Sequence, residues 1–116
     1  MITYDFVYNL HSALEDLGVC RRGIRDTNLL QSTINGQQWF NTEFECYCHV
    51  AYCINAYHIF ADGNKRTSFL VLKELNKIGV LFKDRALCQV ILDLATNSNS
   101  TSKELFMTKV KACRIS

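Results

Sequence analysis

Between Cys46 and Ala61 the only strongly polar side chains are His49, Asn55 and His58, so a helix over this stretch is apolar all round. Such a helix is stable only when other helices enclose it. The Thr42-Glu43-Phe44-Glu45 sequence ahead of it is a capping box, which places a helix start there. A second long helix is expected from about Asn64 to Ile78, with Phe69, Leu72, Leu75 and Ile78 facing inward and Gly79 closing it. The remaining chain, which contains no proline, supplies the enclosing layer through apolar residues spaced by three and four. Thr3 caps a first helix carrying Phe6, Leu10, Ala13, Leu14 and Leu17, ended by Gly18. Asp26 caps a short helix bearing Leu29, Leu30 and Ile34, which stops at the Asn35-Gly36 turn signal, and Gln37 to Asn41 reads as a loop. Val80-Leu81-Phe82 is a brief extended crossing. Asp84 caps a helix with Leu87, Val90, Ile91 and Leu94, and a polar run from Asn97 to Ser102 precedes a last helix with Leu105, Phe106 and Val110. The expectation is an all-α fold in which residues 1–116 form one domain.

Several functional classes are excluded on composition. With 48% hydrophobic and 21% charged residues, the chain buries a core and does not behave as a disordered polymer. No stretch approaches the ~18 apolar residues of a membrane span. The opening Met1-Ile2-Thr3-Tyr4-Asp5 has no basic leader, so a cytoplasmic protein without membrane partners is expected. A formal charge of +2 argues against direct nucleic-acid binding, and Arg21, Arg22 and Arg25 read as a solvated loop face. The six cysteines read as reduced, packed thiols. Cys46, His49 and Cys53 share a helical face, but their spacing fits no common structural zinc pattern.

The segment that carries chemistry is His58-Ile59-Phe60-Ala61-Asp62-Gly63-Asn64-Lys65-Arg66-Thr67, between the two central helices. Gly63 permits close backbone approach, and Asn64, Lys65 and Arg66 open the following helix, where free N–H groups and the positive dipole end attract anions. Lys65 and Arg66 add positive charge for phosphate oxygens. Asp62 offers a hard oxygen of the kind Mg²⁺ takes beside waters and nucleotide phosphates. His58 brings an imidazole, a side chain suited to accept a proton. Together they are the parts of a phosphate-transfer site. Asn64 before Lys65 and the missing upstream glycine rule out a P-loop.

These ten residues resemble the Fic/Doc signature H-x-F-x-[DN]-[AG]-N-K-R-[ST] in its Doc branch, and Gly23-Ile24-Arg25-Asp26 with Leu29-Leu30-Gln31-Ser32 resembles the G-x-R-D…L-L-x-S stretch of death-on-curing proteins. The resemblance implies a compact, all-helical Fido fold with two central helices joined by the motif loop. It also implies ATP and Mg²⁺ as ligands and a target-protein hydroxyl as acceptor. On it, His58 is the catalytic base, Asp62 the metal ligand, and Gly63, Asn64, Lys65 and Arg66 bind phosphate. Phe60 anchors the loop, and Thr67 either bonds a phosphate or caps the helix turn. AMP-transferring members carry G-N-G-R-x-x-R, whereas Lys65 and Phe69 stand at the second glycine and last arginine here. That departure is similar to Doc-type kinases that transfer the γ-phosphoryl group, with translation elongation factor Tu as target class, in a toxin–antitoxin pair with a Phd-like antitoxin whose C-terminal helix fills a groove beside the site. AMP transfer and a catalytically silent Fido binding module remain the alternatives. Ala56 stands where some Doc-branch members have an arginine for the nucleotide, a role open to Asn55, Arg21, Arg22 or Arg25. Trp39 and Phe40 either dock the target beside the site or finish the core.

Overall fold

A computed structural model describes residues 1–115. Among them it shows six α-helices and no strand: α1 (Tyr4–Asp16), α2 (Thr27–Asn35), α3 (Glu43–Ala56), α4 (Asn64–Lys73), α5 (Asp84–Thr96) and α6 (Lys103–Ala112). The expected all-α fold is what the structure shows. The starts follow local capping chemistry. Thr3 accepts from the Phe6 N–H and Asp26 from the Leu29 N–H, while Thr42 and Glu45 complete the capping box on α3.

α3 is the central helix. Nine of its fourteen residues, among them Val50, Ala51 and Ile54, are buried, and α4 packs along it with Val71 and Leu72 fully enclosed. α5 contributes Leu87, Ile91 and Leu94 to the same core and α6 contributes Phe106 and Val110. The described residues contain no helix long and apolar enough to cross a membrane.

The structure corrects several sequence expectations. α3 stops at Ala56, before the apolar run ends, because Tyr57 and His58 leave the helix and Phe60 forms an isolated antiparallel bridge with Ile24. The inward face of α1 is Val7, His11 and Leu14, with the expected Phe6 and Leu10 partly buried against the core, whereas Ala13 and Leu17 are exposed. Asn35-Gly36 forms no hairpin-type turn. Gly36 has helical φ −64° and continues into a 3₁₀ turn, Gly36–Trp39, where the loop was expected. A β-carbon at Gly36 would lie 2.8 Å from the His49 Nε2, so glycine serves close approach there rather than an unusual φ. α4 tightens into a 3₁₀ turn, Glu74–Ile78, and Ile78 is exposed. Lys83 is the N-cap of α5, while Asp84 sits in the first turn and pairs with the Lys73 ammonium at 2.6 Å.

Cys46, Cys48, Cys53 and Cys113 are buried, and all six cysteines are free. Burial pushes the Cys48 thiol far above its ordinary range. No cluster of three potential metal ligands occurs among the described residues.

Candidate active site

The motif loop, residues 57–63, joins the C-terminus of α3 to the N-terminus of α4 and borders a cleft of about 710 Å³. His58, Asp62, Gly63, Lys65 and Arg66 line one part of the cleft. Ile91, Leu92 and Ala95 of α5 give it an apolar wall. Four side chains and the Gly63 backbone, assigned from the sequence to one chemistry, are therefore brought together.

The His58 ring is exposed, and among the described residues it makes no hydrogen bond. It faces the same cleft as the start of α4. Gly63 is the N-cap of that helix, with φ +77°, and provides no side-chain cap for the first turn. A β-carbon on Gly63 would sit 2.9 Å from the Cys20 side chain, so neither the backbone angle nor the space admits another residue. Lys65 and Arg66, both exposed, follow directly. The Arg66 guanidinium donates to the Val19 carbonyl, which anchors it beside the cleft.

Asp62 is half exposed, and its carboxylate accepts the Arg21 N–H at 2.9 Å. That bond, the Gly63 N–H and the nearby Arg21 and Arg66 guanidiniums hold its carboxyl below the usual carboxylate range. The group is thus an ionised oxygen donor facing the cleft. Among the described residues that line the cleft Asp62 is the one carboxylate, which suits an ion that takes the rest of its shell from water and phosphate.

Two assigned phosphate binders also serve the framework. The Asn64 carboxamide accepts from the Phe60 N–H and donates to the Phe60 carbonyl, both at 2.9 Å. With the residue only 9% exposed, its side chain staples the loop; the residue also lines the cleft, and its amide nitrogen keeps a second N–H. The Thr67 hydroxyl is buried and donates to the Gly63 carbonyl at 2.8 Å, bonding back to its own helical turn. Phe60 is buried as an anchor should be, and its ring lies flat against His11.

A model of the Fic/DOC family matches residues 1–75, which include the cleft's motif loop and all of α4. The chain belongs to the Fic/DOC family. No curated protein matches it significantly. Members of the Fic/DOC family commonly transfer phosphate or AMP to proteins and use ATP with a divalent metal.

In this Fic/DOC chain, two residues support the motif loop in a way that the sequence did not disclose. His11 is buried, with Nε2 2.7 Å from the Asp62 carbonyl and Nδ1 3.2 Å from the Glu15 carboxylate. It supports the loop from beneath; Glu15 is one helical turn away, but Asp62 lies 51 residues along the chain, beyond any spacing rule. Arg25, read as part of a solvated loop face, donates from Nε to the His58 carbonyl at 2.6 Å and from a terminal nitrogen to the Tyr57 carbonyl. Arg22 fits the solvated reading, pairing with Glu15 and Asp16.

Asn55 lines the cleft but spends its amide N–H on the Ile91 carbonyl at 2.9 Å, tying α3 to α5. Its Oδ1 is buried without a partner. Trp39 and Phe40 do not line the cleft. Phe40 packs against the His49 ring at 5.0 Å, whereas Trp39 is 79% exposed, so the two adjacent aromatics take different parts.

Proposed function

We propose that this Fic/DOC protein is a Doc-type toxin that transfers the γ-phosphoryl group of ATP to a hydroxyl of a target protein. The observation that carries the reading is a single cleft holding an unengaged His58 ring, an ionised Asp62 and the uncapped, cationic start of α4. His58 takes the proton of the acceptor hydroxyl as its oxygen bonds to the γ-phosphorus, and the bond to the β-phosphate oxygen breaks to release ADP. The first-turn N–H groups of α4, with Lys65 and Arg66, bind the phosphates and meet the charge on the departing diphosphate. Asp62 would hold Mg²⁺, which when bound neutralises phosphate charge.

Kinase chemistry is favoured over AMP transfer by Lys65 and Phe69. A lysine side chain occupies space that glycine leaves open, and Phe69 packs half-buried under the Lys73 ammonium, 6.0 Å from its ring centroid, where it brings no guanidinium to a nucleotide. We place the C-terminal helix of a Phd-like antitoxin against the apolar α5 wall, where Leu92 is exposed beside the cleft. The target class is a translation factor such as elongation factor Tu, which puts the activity in the cytoplasm.

Expression of the wild-type chain and the His58→Ala variant in a bacterial host tests catalysis against simple binding. Growth arrest by the wild type and its loss in the variant, at equal protein levels, is expected. Arrest by both would show that the chain acts by binding.

A further inference from the structure

The stretch Gly23-Ile24-Arg25-Asp26 takes no part in the phosphate cradle, yet it holds the loop that carries His58. The Arg25 guanidinium donates to two successive carbonyls, those of Tyr57 and His58. The Arg25 and Asp26 backbone N–H groups both donate to the Ile59 carbonyl, at 2.8 and 3.1 Å, and the Ala61 N–H donates to the Gly23 carbonyl at 3.1 Å. With the bridge between Ile24 and Phe60, every residue from Tyr57 to Ala61 is gripped by this segment.

What is gripped is an unfavourable backbone. His58 has φ +50°, and among the described residues it alone, glycines aside, has positive φ. A side chain with a β-carbon stays in that region only where its surroundings over-determine it. The His58 ring makes no hydrogen bond that could do so, and the two carbonyls that Arg25 binds lie just past the last turn of α3, where intrahelical donors have run out.

We propose that Arg25 is the positioning residue for His58: its bidentate grip on the Tyr57 and His58 carbonyls fixes His58 in the left-handed conformation and so aims the imidazole at the acceptor hydroxyl. The proposal rests on the reading of His58 as proton acceptor. It separates two halves of the site. The phosphate-binding half hangs on Asn64 and His11, which Arg25 does not touch, so losing Arg25 affects the base and spares the nucleotide. Lysine cannot replace it fully, because one ammonium lacks the planar fork that meets two carbonyls at once.

The test uses the full chain with Arg25→Ala and Arg25→Lys in wild-type and His58→Ala backgrounds, and Arg22→Ala as control. Phosphoryl transfer into a bacterial lysate gives kcat and KM for ATP, and NMR of the His58 backbone and ring reports its conformation. Arg25→Ala is expected to lower kcat about 100-fold, the cost typical of a misplaced catalytic group, with KM for ATP within about twofold. Arg25→Lys recovers part of the loss, Arg22→Ala changes nothing, and Arg25→Ala adds no further loss to His58→Ala because it acts through that ring. NMR should show His58 leaving positive φ only in the Arg25 variants. Losses that multiply in the double variant, a KM rise matching the kcat fall, or an unchanged His58 conformation in Arg25→Ala would overturn the proposal. If His58→Ala transfers like the wild type, the base assignment fails instead, and the NMR comparison still decides whether Arg25 sets the His58 backbone.

Discussion

The ring of His11 lies on that of Phe60 with centroids 3.9 Å apart and planes within 5°, while its Nε2 holds the Asp62 carbonyl at 2.7 Å. One buried side chain of α1 therefore supports both the anchor of the motif loop and the backbone of its metal-ligand candidate. His11→Phe keeps the stack but leaves the Asp62 carbonyl without that donor, and about 1–3 kcal/mol of stability should be lost. His11→Ala removes the stack as well and should cost more, about 2–4 kcal/mol. Urea unfolding of the three proteins measures the order; equal loss in both variants would mean that the stack on Phe60 contributes nothing, and no loss in His11→Phe would mean that the bond to Asp62 contributes nothing.

Asn64 yields a second prediction, because its amide satisfies both backbone groups of Phe60. Asn64→Ala orphans a buried donor and acceptor together and should destabilise the chain by about 2–5 kcal/mol, whereas Asn64→Asp keeps the acceptor and should cost less. Faster amide exchange at Phe60 in the alanine variant, without change in α6, locates the loss at the loop.

Stability should also fall on mild acidification through His49. Burial, its largest cause, lowers the His49 pKa in the fold, with Lys103 adding to the effect and the bond to the Thr33 carbonyl opposing it. The unfolded chain takes up the proton near the ordinary value of 6.5 while the folded chain resists it, so stability is full above that pH and declines below it until the folded value is passed. Melting temperatures across that window should slope less steeply in His49→Gln than in the wild type. The lowered Asp62 pKa acts in the same direction only in its own, more acidic range, below the ordinary carboxylate value of 3.8.

What the sequence disclosed and what it hid divide along chain distance. Thr3, Asp26 and the Thr42/Glu45 box act on N–H groups three residues away, so their helix starts were readable. The motif loop was readable because its chemistry is contiguous from His58 to Arg66. The end of α3 was not, since His58 leaves the helix under a grip from Arg25, 33 residues earlier. Asn64 shows the other limit. A polar side chain in a phosphate motif reads only as a ligand, whereas the structure shows its amide also bonded to both backbone groups of Phe60.

The most direct measurement is a transfer assay with the purified chain, Mg²⁺ and a bacterial lysate, run in parallel with ATP labelled on the γ- or the α-phosphate. The account predicts protein label from the γ-position alone, abolished by His58→Ala. Label from the α-position would contradict it and assign AMP transfer to the same cleft.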